Sequence, residues 1–296
     1  MSIRCLELYC GIGGFAVAAA QLRWTVVGAI DINQIAAEVY RLNFSHEHQV
    51  RTIESIHPAD LARFEADLWW MSPPCQPFTR RGVQRDVTDN RVDSFIRVLK
   101  LIRELRPERL AMENVPNFKT SQAADELRDV LASSGYRWRE LELCPSEFGI
   151  PNRRRRFYLV AARHREPARF MVDFAPRNLA DFVRQDCGEE LFVDGTVEEY
   201  ADAMHCVDPC EPHAMTSCFT SAYGKSPIRS GSYLRVGERL RRFSPREILG
   251  LLGFPDTFQL TSGLSTRRAW KLVGNSLSIP VVVHVLRSIG AELRPH

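Results

Sequence analysis

Apolar positions along the chain gather into short runs, and the runs alternate in length and character. Residues 4–9 and 24–30 are short apolar runs of strand length, and 15–22 between them is alanine-rich and helical in length. Cys10-Gly-Ile-Gly-Gly14 joins the first strand to that helix. Glycines there permit a tight turn and let backbone N–H groups approach a ligand at the helix start. The second strand ends in Asp31, and 33–42 reads as a helix, 50–53 as a short strand. Leu68-Trp-Trp-Met71 suits a buried strand; 93–105 is a helix stopped by Pro107, and 109–112 is the next strand. A helix over 125–133 ends at Gly135, and 138–143 with 157–161 predicts an antiparallel pair around an arginine-rich turn. Strands alternating with helices predict an α/β fold: a doubly wound, mostly parallel sheet with helices on both faces.

Beyond Glu166 the alternation fades, and 170–240 mixes short apolar pieces with Gly, Pro, Ser and charges. Ser244, Pro245 and Glu247 carry the signature of a helix start, with cap, first-turn proline and capping-box acid. Residues 279–289 form a final apolar helix, able to pack back on the main sheet. The expected organisation is a catalytic and cofactor-binding domain (1–168), a small loop-rich target-recognition domain (169–242) and a returning C-terminal segment (243–296).

Composition narrows the classes. At 296 residues, 45% apolar and 25% charged, the chain is ordinary for a globular protein with a sizeable core. A net charge of +3 says little about nucleic acid, but the cations cluster, at Arg153 to Arg156 and at Arg239, Arg241 and Arg242. Glu7 precedes any long apolar run, so no secretory signal is expected. No stretch looks able to span a membrane, which needs about 20 apolar residues. Eight cysteines in a chain of this length point to reduced thiols and a cytoplasmic setting rather than a disulfide framework. His205, Cys206, Cys210 and His213 match no standard zinc spacing, and the expectation there is a solvated loop without metal.

Candidate chemistry starts at Met71-Ser-Pro-Pro-Cys-Gln-Pro-Phe-Thr79, where prolines stiffen the loop that presents Cys75. A thiol held on a rigid loop at a strand end suits a nucleophile. Glu113 ends another strand, and the glycine turn with Asp31 suits a nucleoside cofactor whose ribose hydroxyls donate to the carboxylate. The turn is not the full dinucleotide fingerprint, which disfavours nicotinamide. One reaction uses all these groups. A thiolate adding to carbon 6 of cytosine turns carbon 5 into an enamine carbon. A carboxylic acid at ring nitrogen 3 and an arginine at the carbonyl oxygen stabilise the charge that develops. Each residue also has a plainer reading. Glu113 equally suits a cap or a pair with a neighbouring arginine, Asp31 the N-cap of the helix from Asn33 onward, and the arginine run a solvated hairpin; Cys218 and Phe219 suit a small-domain core.

These motifs resemble the cytosine-5 methyltransferase family over nearly the whole chain. Leu6 to Phe15 resembles its cofactor turn, Pro73-Pro-Cys-Gln76 its nucleophile loop and Glu113-Asn-Val115 its acid motif. Arg154-Arg-Arg156 resembles its arginine motif and Gly274-Asn-Ser276 its closing cofactor motif, all in family order. Within the family the likeness is to the branch that resembles DNA methyltransferases yet acts on tRNA. Met71 to Thr79, Cys218-Phe-Thr220 with Tyr223-Gly224, and Gly149 to Arg153 carry it, Asn152 standing where DNA enzymes more often have glutamine.

The resemblance implies a Rossmann-like methyltransferase that uses S-adenosylmethionine, releases S-adenosylhomocysteine, and methylates carbon 5 of an anticodon-loop cytosine, typically in aspartate tRNA. It implies Cys75 as nucleophile, Glu113 as acid, and Arg154 and Arg156 as base-orienting groups. Ile12, Gly13 and Gly14 would contact the cofactor, Asp31 its ribose, Ile53 and Glu54 its adenine, with Ser72 and Asn275 beside the same ligand. Cys218, Phe219 and Thr220 would contact the RNA, and no metal is implied. Cys10 replaces the usual serine or alanine, and Arg153 and Arg155 make the arginine motif more basic than usual. DNA remains the alternative acceptor, and a non-catalytic, cofactor-sensing RNA binder the alternative of another class. Residues 80–90 are a candidate lid hinged at Gly82, and a monomer is the preferred assembly.

Overall fold

The computed structural model describes residues 2–74, 90–184, 188–193 and 200–290. Contacts divide the chain into two units: Met1–Leu143 with Arg155–Met171 and Val282–His296, and Cys144–Arg154 with Val172–Val281. Residues 144–154 and 243–281 thus group with the smaller unit, a division set by packing rather than by chain order.

The first unit is built on a seven-stranded sheet in the order β3-β2-β1-β4-β5-β7-β6. Its strands are β1 (Arg4–Leu8), β2 (Thr25–Asp31), β3 (His48–Val50), β4 (Leu68–Met71), β5 (Arg109–Asn114), β6 (Arg137–Leu143) and β7 (Arg156–Ala162). The first five pair in parallel, as expected of strands joined by helical crossovers. β7 runs antiparallel to both β5 and β6, with Asn114 opposite Phe157. The crossovers are α1 (Gly14–Gln21), α2 (Gln34–Asn43), α3 (Pro58–Ala62), α4 (Asn90–Leu105) and α5 (Gln122–Ser133). Asn33 caps α2 by accepting from the N–H groups of Ile35 and Ala36, and Ser121 caps α5. Each such cap contributes about 1 kcal/mol. The strand expected over 50–53 instead ends at Val50, and Ile53–Ser55 is a 3-10 turn.

Leu6, Leu8, Ile30, Trp69, Met71, Leu110 and Met112 bury the sheet against helix residues such as Phe95, Val98 and Leu127. Phe15 of α1 stacks on Trp70 with ring centroids 5.1 Å apart. The last helix, Ile279–Gly290, returns to this unit: Ile289 O accepts from Arg109 Nε at 3.1 Å, and Ser288 O from Ala168 N at 2.8 Å. The expectation that no stretch suits a membrane needs correction. The segment Thr266–Gly290 is long and apolar enough in composition, but it breaks into two helices around 275–278, and 78% of its most apolar window is buried.

The second unit holds a three-stranded sheet in the order β10-β9-β8, formed by β8 (His205–Val207), β9 (Ser232–Val236) and β10 (Arg239–Arg242). Helices Pro245–Leu252 and Thr266–Gly274 follow. Ser244 and Glu247 close the capping box read from the sequence. Glu247 is fully buried and also takes the Arg241 guanidinium, 2.7 Å from Oε1.

Glu7, next to last in β1, is an acid inside the apolar core. Tyr40 donates to its Oε2 at 2.8 Å, and Tyr40 Oη lies 2.7 Å from His46 Nε2. Burial pushes the Glu7 carboxyl up to about 8, only partly offset by the Tyr40 bond. The folded chain therefore holds this proton where the unfolded chain, with an ordinary value of 4.5, has released it. Its contribution to stability is complete below pH 4.5 and drains as pH rises to about 8. His46 and His48, each pushed down to about 4 by burial, act in the opposite sense below their ordinary 6.5. Comparing Glu7→Gln with the parent isolates the acid: the melting temperature of the variant should gain on the parent from pH 4.5 to 8. A difference independent of pH would show that Glu7 is ionised throughout.

Candidate active site

The order of strands reverses at the β1–β4 pair, and at such a point the carboxyl ends of parallel strands leave a crevice that takes ligands. β1 ends there in the glycine turn. Tyr9, Gly11 and Gly13 have φ of 57°, 52° and 91°, a left-handed sequence that explains two of the glycines. Gly11 N donates to Asp31 Oδ2 at 2.8 Å, and Asn33 N donates to Asp31 Oδ1 at 2.8 Å. Asp31 is therefore a bridge between the ends of β1 and β2, and the cap is Asn33. Burial raises the Asp31 carboxyl above its usual range, against the lowering effect of these N–H bonds. The Ile32 N–H also lowers it, so three donors leave the carboxylate one lone pair for an incoming hydroxyl.

The two glycines with positive φ face different surroundings. A Cβ on Gly13 would meet the Phe44 ring at 2.3 Å, so this residue is fixed by packing within the protein. A Cβ on Gly11 would meet nothing within 4 Å, which leaves the backbone open to a ligand. Gly14 begins α1, and the Ile12 side chain is buried. Ile53, expected at the adenine, has its side chain in the core cluster, while Glu54 beside it is exposed. Ile32, next to Asp31, is 66% exposed, the apolar surface nearest in sequence to the ribose-binding candidate.

At the end of β4, Trp70 Nε1 donates to Ser72 Oγ at 2.9 Å, and Ser72 N donates to Leu8 O at 3.3 Å. Asn114 Nδ2 donates to Pro73 O at 3.4 Å, tying the end of β5 to the proline loop. Cys75 and the candidate lid up to 89 lie outside the described residues. Glu113 stands in β5 opposite Tyr158, and Arg156 opens β7. Arg156 Nε is 3.2 Å from Glu113 Oε1, with both side chains mostly buried. The plain reading of Glu113 as an arginine partner and the chemical reading thus describe one pair.

The second unit places the remaining candidates. Arg154 is 5% exposed. Its Nη1 donates to Phe219 O at 2.9 Å and Gly274 O at 3.2 Å, and its Nη2 to Ser276 O at 2.6 Å. The guanidinium expected to orient a base is therefore a fork on backbone carbonyls. Phe219, expected at the RNA, has its ring buried in edge contacts with Tyr223 and Phe243; it is a core residue. Cys218 and Thr220 are half-buried beside it, and Asn275 lies between the two carbonyls held by Arg154. Asn152 Nδ2 donates to Thr216 Oγ1 at 2.9 Å, anchoring the approach to this segment. His205 Nδ1 is 2.8 Å from Ser232 Oγ, and no metal-holding group of three His, Cys, Asp or Glu occurs among the described residues.

Residues 3–205 and 212–291 match the family model described as C-5 cytosine-specific DNA methylase. The chain belongs to this family. It is 31% identical to a tRNA (cytosine(38)-C(5))-methyltransferase of Schizosaccharomyces pombe, over 96% of each chain. It is 29% identical to a DNA (cytosine-5)-methyltransferase of Dictyostelium discoideum, over 96% of this chain and 93% of that one. Among solved structures, a DNMT2 of Spodoptera frugiperda superposes with a TM-score of 0.88 at 29% identity, covering 98% of this chain and 100% of the other.

C-5 cytosine methyltransferases of this family use S-adenosylmethionine. The residues present fit it: an open Gly11 backbone, an acid at the end of β2 and an exposed apolar side chain beside that acid. Gly11, Ile32, Asn33 and Asn114 were missed as site-builders. The first was visible in the glycine turn, whereas the others depend on exposure and partners that sequence spacing does not carry. Asp31→Ala removes the acceptor of two backbone N–H groups, so S-adenosylhomocysteine should bind about tenfold more weakly and the chain should melt earlier. Calorimetric titration with unchanged affinity would remove Asp31 from the cofactor site.

Proposed function

We propose that the protein is a tRNA methyltransferase that places a methyl group on carbon 5 of an anticodon-loop cytosine, in an aspartate-type tRNA. The reading is carried by the likeness to relatives named as tRNA (cytosine(38)-C(5))-methyltransferases, which runs nearly end to end in both chains. A cytosine in a loop is already partly unstacked, so turning it out toward a nucleophile costs less than in a duplex.

Cys75 acts as a thiolate and forms the bond to carbon 6, while the ring electrons move toward nitrogen 3. Glu113, as the acid, gives a proton to nitrogen 3 and so neutralises the charge. Arg156 holds the Glu113 carboxyl and takes the carbonyl oxygen of the base as an acceptor. S-adenosylmethionine, when bound, supplies the methyl as an electrophilic sulfonium carbon. Gly11, Asp31, Ile32, Glu54 and Ser72 would hold it, and the family resemblance adds Asn275. Loss of the carbon 5 proton to a base then expels the thiolate, and the proton on nitrogen 3 returns to Glu113, restoring the ring. The thiol needs a reducing compartment, and we place the protein in the cytoplasm.

A DNA acceptor is the second reading, favoured by the Dictyostelium relative named as a DNA (cytosine-5)-methyltransferase. The test uses methyl-labelled S-adenosylmethionine with host tRNA and host genomic DNA in parallel. Label is expected in tRNA and not in DNA; label in DNA alone would overturn the acceptor while keeping the chemistry. Cys75→Ala should abolish transfer and leave S-adenosylhomocysteine binding unchanged. Transfer that persists in this variant would sink the nucleophile assignment.

A further inference from the structure

Arg154 and Arg156 belong to one motif, and their guanidinium groups have different kinds of partner. Arg156 has a carboxylate, Glu113, at 3.2 Å. Arg154 donates to three backbone carbonyls drawn from two separate segments, Phe219 on one side and Gly274 with Ser276 on the other. Cys218 Sγ adds a fourth contact at 3.5 Å. These two segments also touch directly. A Cβ at Gly274 would lie 2.4 Å from Thr220 O and 2.7 Å from Ser221 N, a distance only glycine accommodates. Nearby, Tyr223 packs edge-on against Trp270 at 5.3 Å, and Trp270 Nε1 donates to Phe243 O at 2.9 Å.

From this junction we propose that Arg154 is a positioning residue, which sets Asn275 by locking Gly274-Asn-Ser276 to Cys218-Phe-Thr220. A planar guanidinium presents donors in fixed directions and so can serve carbonyls from two segments at once. It stays charged at any working pH, so the lock does not open by titration. Asn275 lies between two carbonyls that the fork holds, and its backbone has little freedom while both bonds stand. On the proposed function, this makes the cofactor motif and the acceptor segment move as one piece. A lysine at 154 keeps the charge but offers a point ammonium that does not reach the same carbonyls together.

The experiment measures S-adenosylhomocysteine binding by calorimetric titration for the parent, Arg154→Lys, Arg154→Met and Gly274→Ala. Gly274→Ala leaves the guanidinium in place and pushes the two segments apart, so it decides the matter if both Arg154 variants fail to fold. The dissociation constant is expected to rise about tenfold or more in each folded variant, with lysine giving no rescue, as misplacement of a binding group predicts. The proposal is overturned if the constant stays within about twofold of the parent while turnover at saturating cofactor collapses, since that pattern belongs to a group acting on the base. It is equally overturned if only the binding stoichiometry falls, the mark of a purely structural residue. A parent chain that binds S-adenosylhomocysteine and methylates DNA instead of tRNA would correct the acceptor and leave this result standing.

Discussion

Parallel strand pairing is the constraint on which the first unit depends. Parallel neighbours end on the same edge, so whatever follows each strand is delivered to one place. The register makes this concrete: Leu8 pairs with Ile30 on one side and Met71 on the other, and Met71 pairs with Met112. The glycine turn, Asp31, Ser72 and Glu113 follow those residues by one or two positions. They are far apart in the chain and share an edge because hydrogen-bond ladders leave them no alternative. β7 alone arrives in the opposite sense, and for that reason its first residue, Arg156, meets the ends of the others.

A second constraint is the cost of burying polar groups, which is large unless each finds a partner. Glu7, Asp31, Glu247 and Arg154 are all largely removed from water, and each is answered differently. Asp31 and Glu247 accept backbone N–H groups, and Glu247 adds a buried guanidinium. Arg154 donates to backbone carbonyls and a thiol, which set several dipoles against its charge. Glu7 has one hydroxyl donor and a backbone N–H, too little to hold a full charge there, and its carboxyl keeps its proton toward pH 8. The same physics thus surrounds some buried groups with partners and leaves Glu7, where donors are few, holding its proton.

Much of this was legible in the sequence. The alternation of runs gave the parallel strands, the antiparallel β6–β7 pair and the returning helix, because period and length are local properties. Ser244, Pro245 and Glu247 announced their helix for the same reason. The strand over 50–53 was misplaced because Val50 and Ile53 are β-branched, and a 3-10 turn buries Ile53 just as well. Likewise Phe219 carried no sign of its fate. An aromatic beside a threonine suits an RNA contact or a core equally, and Tyr223 with Phe243 decided the question.

The arginine motif marks the limit of such reading most clearly. Two identical side chains, two residues apart, look interchangeable in a sequence, and both were given to the base. What separates them is the acceptor that the fold brings to each. Arg156 meets a carboxyl group, that of Glu113. Carbonyls around Arg154 take donors of both its terminal nitrogens, in directions fixed by the backbone. Residue type tells which bonds a side chain is able to make; the fold determines which of them it has already made.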